Sequence, residues 1–146
     1  MKKSIIFFML VIVSAMGTTH FIKSNDDKLK PLRKANVVQN DSFEKGEKLF
    51  IKNCASCHYI GMDKVMTAPA LGGITKRRKK NWLYKYTRNP HQMFKLGDSI
   101  AVNLREEGWG LMPSFINLTT YELDAIYYFI EERFEMSKKG IPVKTY

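Results

Sequence analysis

Cys54-Ala55-Ser56-Cys57-His58 is the stretch that decides the fold. It reads C-x-x-C-H, which is the signature for attachment of a c-type haem. Thiols separated by two residues can add to the two vinyl groups at one edge of a porphyrin. The histidine directly after the second thiol then lies under the iron. The motif therefore predicts thioether bonds from Cys54 and Cys57 and an axial iron ligand from His58.

The same pair of cysteines occurs in thioredoxin-like redox centres and in halves of zinc sites. A zinc site needs further ligands at suitable spacing, but the chain has only two cysteines, and His20 and His91 are isolated. A redox pair usually opens a helix within a βαβ pattern, and no such pattern surrounds Cys54. Haem attachment is therefore the favoured interpretation.

The first residues of the chain have the features of an export signal. Lys2 and Lys3 precede an apolar run over residues 5–13, and small residues follow, so that residues 1–17 resemble a secretory signal peptide. The run is short for a transmembrane helix, although an uncleaved membrane anchor is the alternative. Residues 18–40 show no regular period and are predicted to be a linker or arm. Export agrees with a c-type haem and predicts the periplasm or the outer face of the cytoplasmic membrane.

The charge of the chain limits the classes of partner that are expected. The 146 residues suit one domain, and the formal net charge is +10. A basic surface favours an acidic protein or an anionic membrane. Residues 76–80 are five consecutive cations, which are typical either of a solvated helix start or of a docking surface for an acidic redox partner. Nucleic acid is not an expected partner of an exported haem protein.

Helical periodicity predicts an all-α domain over residues 41–137 and a tail over residues 138–146. Asn40 or Asp41 is expected to cap a first helix that ends near Asn53. Gly46 lies within that helix, where glycine costs about 1 kcal/mol relative to alanine. Its presence indicates a second helix that crosses closely, unless the glycine lies on an exposed face.

Three further helices are expected after the haem motif. Two short ones are predicted near residues 81–87 and 99–106. Thr119 and Glu122 match the capping-box pattern that begins a last helix, which should run to about Phe134. No pair of segments alternates convincingly as strands. The apolar face of the last helix is formed by Leu123, Ile126, Tyr127, Phe129 and Ile130.

Over about residues 41–136 the chain resembles the class I mono-haem cytochromes c. The resemblance implies the cytochrome c fold, in which three to five helices wrap around one covalently bound haem c and the first and last helices cross. Gly46 and Phe50 would then meet Ile126, Phe129 and Ile130. The resemblance rests on four blocks in the family's order: Gly46 with Phe50, the haem motif, Pro69 with Leu71-Gly72, and Met112-Pro113.

The resemblance places Met112 at the sixth iron ligand, opposite His58. A thioether is a soft, neutral ligand that favours ferrous iron, so His/Met ligation raises the reduction potential. A methionine is more often core filler than a ligand, and Met112 is singled out by its context. The competing ligands are Met62, Met66, Met93 and His91.

Two further residues are expected in the haem environment. The neighbourhood of Pro69 can present a carbonyl to the ring nitrogen of His58, which would fix the tautomer and orientation of the imidazole. Trp82 would donate its indole N–H to a haem propionate or fill the core.

With both axial positions filled by the protein, the leading hypothesis is a one-electron carrier rather than an enzyme. It would pass electrons between acidic redox partners, such as an oxidase, dehydrogenase or reductase. A haem c subunit of an oxidase or dehydrogenase complex is the first alternative. A haem enzyme or sensor with an open sixth position is the second, and it requires that Met112 does not bind iron.

Overall fold

The computed structural model describes residues 26–144, apart from the side chains of residues 26–30, 32, 33 and 35–37. The predicted signal peptide at residues 1–17 therefore lies outside the described residues. The chain divides into two compact units, Met1–Arg33 and Lys34–Tyr146. Within the described range the regular structure is entirely α-helical. None of these helices combines the length and the apolarity of a membrane span.

The first helix, α1, spans Asp26–Asn53. It therefore begins well before the predicted cap at Asn40 or Asp41, inside the segment predicted to be a linker. Asn40 is an exposed residue within the helix, and its side-chain amide donates to the Glu44 carboxylate at 2.9 Å. Polar pairs four residues apart support a helix without burial, so the lack of an apolar period is no barrier to helix formation. Pro31 is accommodated inside α1, where its ring removes one backbone hydrogen bond.

Four short helices follow the haem motif, and two of them match the predicted ones. The others were not predicted and bring the total in the described range to six, against an expected three to five. The Asn89-Pro90 pair ends one helix and also begins the next, because the Asn89 side chain accepts the Gln92 N–H at 3.1 Å and proline suits the first helical turn. The four are α2 (Ile74–Arg77), α3 (Lys80–Arg88), α4 (Pro90–Lys95) and α5 (Ser99–Glu106).

The last helix, α6, spans Thr120–Lys138 and runs past the predicted end at Phe134. Its capping box is confirmed. The Thr119 hydroxyl accepts the Glu122 N–H at 3.2 Å, and the Glu122 carboxylate accepts the Thr119 N–H at 2.9 Å. Two backbone donors that the helix itself leaves unpaired are thereby satisfied.

Gly46 marks the place where α1 and α6 cross. A Cβ atom at Gly46 would lie 2.1 Å from the carbonyl oxygen of Ala125 and 2.7 Å from the Cβ of Phe129. Phe50, one turn along α1, is fully buried, and its ring centroid lies 5.5 Å from that of Phe129. The crossing of the first and last helices at a glycine and an aromatic residue is confirmed.

Two groups of buried apolar side chains form the core of the described part of the chain. The first joins α1 and α6 and contains Met62 from the connection after the haem motif. The second joins α3 and α6 and is built from Leu83, Tyr84 and Leu123. Ile74, Leu118 and Tyr127 pack against both groups. The first group consists of Phe50, Met62, Ile126, Phe129 and Ile130.

Candidate haem site

The haem motif forms a turn that continues the last turn of α1. The Cys54 N–H donates to the Phe50 carbonyl at 2.7 Å, and the Cys57 and His58 N–H groups both donate to the Cys54 carbonyl, at 3.1 and 2.9 Å. One backbone turn therefore presents both sulfurs and the imidazole together. Both cysteines are half-buried and neither forms a disulfide, so both sulfur atoms are available for thioether bonds to a porphyrin.

The Cys54 thiol is not in the state of a reactive redox cysteine. Burial, with a smaller contribution from the neighbouring Cys57, raises the pKa of Cys54 to about 12. Redox-active thiols instead have lowered pKa values in electropositive surroundings. Within residues 26–144, no group of three or more histidine, cysteine or acidic side chains converges as a metal site. The thioredoxin-like and zinc interpretations therefore find no support in the described chain.

The His58 imidazole is held in one tautomer. The residue is only 8 % exposed, and its Nδ1 lies 2.9 Å from the Pro69 carbonyl oxygen. Because a carbonyl only accepts hydrogen bonds, Nδ1 carries the proton and Nε2 keeps the lone pair that can bind a metal. Burial lowers the pKa of His58, and the hydrogen bond to Pro69 partly opposes this shift. The neutral ring that results is the form that ligates iron.

Two backbone hydrogen bonds fix the position of Pro69. On one side, the Ala68 N–H donates to the Cys57 carbonyl at 3.1 Å; on the other, the Gly72 N–H donates to the Met62 carbonyl at 2.8 Å. Met62 has a φ of 68°, the left-handed conformation that side chains rarely adopt. A non-glycine residue there costs about 1–3 kcal/mol and persists only when its surroundings hold it.

Cys54 shares its contacts with the core with several apolar side chains. They are half-buried and pack against the core formed by α1 and α6. A flat apolar macrocycle would cover such surfaces, and the two free thiols and the Nε2 lone pair supply the bonds that a c-type haem needs. The residues present therefore fit the cofactor. Besides Cys54, the residues that pack against this core include Leu71, Ile74, Leu118 and Tyr127.

Met112 is half-buried in the connection between α5 and α6, next to Pro113. The connection is tied to α3 because the Phe115 N–H donates to the Thr87 carbonyl at 3.2 Å. The placement of Met112 opposite His58 stays a prediction.

The competing ligands have other surroundings. Met62 is fully buried in the core, where its thioether has a packing role. Met66 is 45 % exposed, and His91 is also exposed. Met93 is half-buried on the short helix α4.

The structure provides the Trp82 indole with a partner that the sequence did not indicate. Its Nε1–H donates to the Asp98 carboxylate, at 3.0 Å from one oxygen and 3.1 Å from the other. Asp98 also accepts the Ala101 N–H at 3.0 Å and so caps α5. This N–H is therefore engaged by a carboxylate rather than directed to a propionate. The sequence shows Asp98 directly before a short helix, where an aspartate often acts as an N-cap. It does not show that the same carboxylate accepts the Trp82 indole N–H.

Tyr127 connects the surroundings of Cys54 to α3. Its hydroxyl lies 2.6 Å from the Thr87 Oγ1, and its ring stacks on Tyr84 with centroids 5.7 Å apart. Burial raises the pKa of Tyr127 to about 12. The neutral phenol is therefore part of the packed structure, although the sequence predicted only an apolar face at this position.

The five cations of residues 76–80 do not form one free basic patch. Lys76, Arg77 and Lys80 each have an intramolecular partner. The Arg78 guanidinium lies over the Trp82 ring, 6.0 Å from the ring centroid. Lys79 is exposed, and no ion pair involves it within the described chain. The partners are Glu135 for Lys76 at 3.6 Å, the Gly72 carbonyl for Arg77 at 2.6 Å, and Asp124 for Lys80.

Comparison with known proteins agrees with this site. The sequence profile of the cytochrome c family matches residues 43–133. The solved structure of cytochrome c from Rhodothermus marinus is similar, with 26 % identity, a TM-score of 0.55, and coverage of 66 % of this chain and 79 % of that one.

An engineered form of the Rhodothermus marinus protein, bound to a carbene intermediate, is similar with 27 % identity and a TM-score of 0.55, and covers 66 % of this chain and 80 % of that one. A search of curated proteins finds no significant match. The profile match spans more than half of the chain and includes the haem motif. The chain therefore belongs to the cytochrome c family, and its cofactor is a covalently bound haem c.

Proposed function

We propose that the protein is an exported one-electron carrier in which His58 and Met112 supply the two axial ligands of the haem iron. Cys54 and Cys57 form the thioether bonds. The observation that carries the proposal is the 2.9 Å contact between His58 Nδ1 and the Pro69 carbonyl, because it presents Nε2 as a ligand in a fixed orientation.

The bound haem supplies the Fe(III)/Fe(II) couple, and the side chains of this protein set its potential. The Pro69 carbonyl attracts the Nδ1 proton of His58 and makes Nε2 a stronger donor, which favours Fe(III). The Met112 thioether acts in the opposite direction and favours Fe(II). The half-buried apolar side chains that share the core with Cys54 would limit the access of water to the motif. The potential is therefore the balance of these contributions.

The partner is proposed to be an acidic redox protein of a respiratory or dehydrogenase chain. The formal net charge of +10 supports steering towards such a protein. Lys76 and Lys80 are engaged by carboxylates of α6, so the exposed Lys79 is the member of the run best placed to meet an external acid. Weak redox encounters use small interfaces, which permits rapid release.

The location is proposed to be the periplasm or the outer face of the cytoplasmic membrane. Residues 1–17 have the composition of a signal peptide, and the family is typically exported. An uncleaved segment would tether the protein to the membrane. The mass of the protein purified from its host, compared with the mass of the full sequence plus haem, distinguishes the cleaved from the anchored form.

One observation supports an alternative, a haem c subunit of an oxidase or dehydrogenase complex. α1 begins at Asp26, well before residue 43 where the similarity to the family starts. Lys34 and Val38 are exposed on this upstream part, which leaves them available to another subunit. Co-purification of the protein with a membrane complex in mild detergent would favour this alternative, and recovery as a free protein would favour the carrier.

The decisive experiment replaces Met112 by Ala in the haem-loaded protein, with Met66→Ala as the matched control at an exposed methionine. We expect Met112→Ala to lose the long-wavelength sulfur-to-iron absorption band, to bind cyanide or azide in the ferric state, and to have a lower reduction potential. The Met66 variant should behave like the parent. An unchanged spectrum in Met112→Ala would remove Met112 as a ligand, and a parent protein that binds cyanide rapidly would favour the open-site alternative.

A further inference from the structure

Arg133 is a buried cation near the end of α6. It is 6 % exposed, and its Nε has no hydrogen-bond partner in the described structure. Its Nη2 donates to the Ile141 carbonyl at 2.6 Å and to the Ser137 hydroxyl at 3.3 Å, and its Nη1 lies 3.6 Å from the Met136 sulfur. A buried charge is costly unless hydrogen bonds satisfy it. The contacts with the Ile141 carbonyl and the Ser137 hydroxyl are therefore the main compensation for burying this charge.

The end of α6 is built so that Ile141 can meet this arginine. Gly140 adopts a φ of 72°, its N–H donates to the Ser137 carbonyl at 3.0 Å, and the Ile141 N–H donates to the Met136 carbonyl at 3.0 Å. These two bonds form the Schellman motif that ends many helices. The motif turns the chain back over its last turn and places the Ile141 carbonyl against the guanidinium.

Ser137 links Arg133 to the connection that follows the haem motif. Its hydroxyl accepts from Arg133 and donates to the Gly61 carbonyl at 2.6 Å. Gly61 directly precedes Met62, the residue held in the left-handed conformation. The Met62 carbonyl in turn accepts the Gly72 N–H at 2.8 Å.

The same connection presents the acceptor for the axial histidine. Pro69 lies between the bond from Gly72 to Met62 and the bond from Ala68 to Cys57, and its carbonyl lies 2.9 Å from His58 Nδ1. Hydrogen bonds joined by short stretches of backbone thus connect the guanidinium at the end of α6 to the imidazole.

We propose that Arg133 and Ser137 are positioning residues for the haem: by fixing the Gly61–Met62 turn, they hold the Pro69 carbonyl on His58 and thereby lower the reduction potential. The inference rests on His58 being the iron ligand, as proposed above. A tight bond to Pro69 gives Nε2 more anionic character and stabilises Fe(III). Loosening the turn lengthens that bond, so the potential should rise.

The test uses Ser137→Ala, which removes one oxygen atom, with Ser99→Ala at an exposed serine of α5 as the matched control. Arg133→Met removes the guanidinium, and Arg133→Lys is the rescue variant because an ammonium group can still donate to Ser137 and Ile141. Arg105→Met is the control for loss of an arginine on another helix. Each variant is purified with haem attached and compared with the parent.

Two measurements separate positioning of His58 from general stabilisation. The first is hydrogen exchange of the His58 Nδ1–H in the diamagnetic ferrous protein, followed by NMR. We expect exchange about tenfold faster in Ser137→Ala and Arg133→Met, with partial recovery in Arg133→Lys. The second is the reduction potential. We expect a rise equivalent to about threefold in the electron-transfer equilibrium constant, or ~28 mV at 59 mV per tenfold change.

The outcomes are distinct. Unchanged exchange and potential in Ser137→Ala, with or without a loss of stability, would overturn the inference while leaving the proposed function intact. Equal changes in the Ser99 and Arg105 controls would overturn it as well. If the parent itself lacks histidine-ligated iron, both the proposed function and this inference fail. Because Ser137→Ala is a minimal change, the test stands even if Arg133→Met does not fold.

Discussion

Replacing Gly46 by Ala should destabilise the protein, although alanine is the better helix former. A Cβ at this position would lie 2.1 Å from the Ala125 carbonyl oxygen, against 3.4–4 Å for ordinary contact. The atom it meets is backbone, which cannot rotate away as a side chain would. The two helices would have to separate, which would loosen the packing of Phe50 on Phe129.

The magnitude follows from two opposing contributions. Overpacking of a close interface costs typically ~1–3 kcal/mol, and a clash with backbone belongs at the upper end. The higher helix propensity of alanine offsets about 1 kcal/mol of this loss of stability. We therefore expect a net loss of about 2 kcal/mol in the free energy of unfolding, which lowers Tm by ~10 °C in a domain of this size.

The assay is urea unfolding of the haem-loaded protein, followed by far-UV circular dichroism and by the haem spectrum. Gly110→Ala is the matched control, because a Cβ at Gly110 would meet nothing within 4 Å, so its stability should change by less than ~1 kcal/mol. If Gly46→Ala were as stable as Gly110→Ala, the close crossing of α1 and α6 would be refuted.

Three other predictions follow from single contacts. Trp82→Phe should lose about 1–2 kcal/mol, because it removes a hydrogen bond to the Asp98 carboxylate, while the reduction potential stays unchanged; a large shift in potential would instead indicate a propionate contact. Tyr127 has a folded pKa raised to about 12 from an ordinary value of 10, so its contribution to stability is present below pH 10 and lost as the pH rises to 12. The unfolding free energy of the parent should therefore fall more steeply across pH 10–12 than that of Tyr127→Phe, and parallel curves would contradict this. Lys79→Glu should slow reaction with an acidic partner more than Lys139→Glu, which changes the net charge equally; equal rates and salt slopes would leave only a net-charge effect.

The sequence predicted the parts of the fold that depend on local or short-range patterns. The capping box of Thr119 and Glu122, the haem motif and the glycine of the helix crossing are all confirmed as structural features. Each is defined by a few residues that lie close together in the sequence. The Pro69 carbonyl lies against the His58 ring. The residues of this segment predicted that contact without the family resemblance.

The errors have physical causes as well. The early start of α1 was missed because residues upstream of Asn40 do not form an apolar stripe, which is the main signal for a helix in a sequence. The helix α4 was missed because an Asn-Pro pair ends the preceding helix, and the same two residues also form the start of α4. For Trp82 the sequence left a haem propionate and the core as alternatives, and its partner Asp98 was missed because it lies beyond an intervening helix.

α6 explains why the support of the segment that carries Pro69 was out of reach of sequence reasoning. Its N-terminal half packs on Gly46, and its C-terminal half bonds Gly61 through Ser137, a contact between residues 76 positions apart. No periodicity encodes such a contact, because it joins a hydroxyl to a backbone carbonyl rather than two apolar faces. One helix thus both closes the core and holds the segment that carries Pro69. Substitutions at the two ends of α6 should therefore have different effects. Those at the crossing with Gly46 should change stability, whereas those at Ser137 should change the electronic environment of His58.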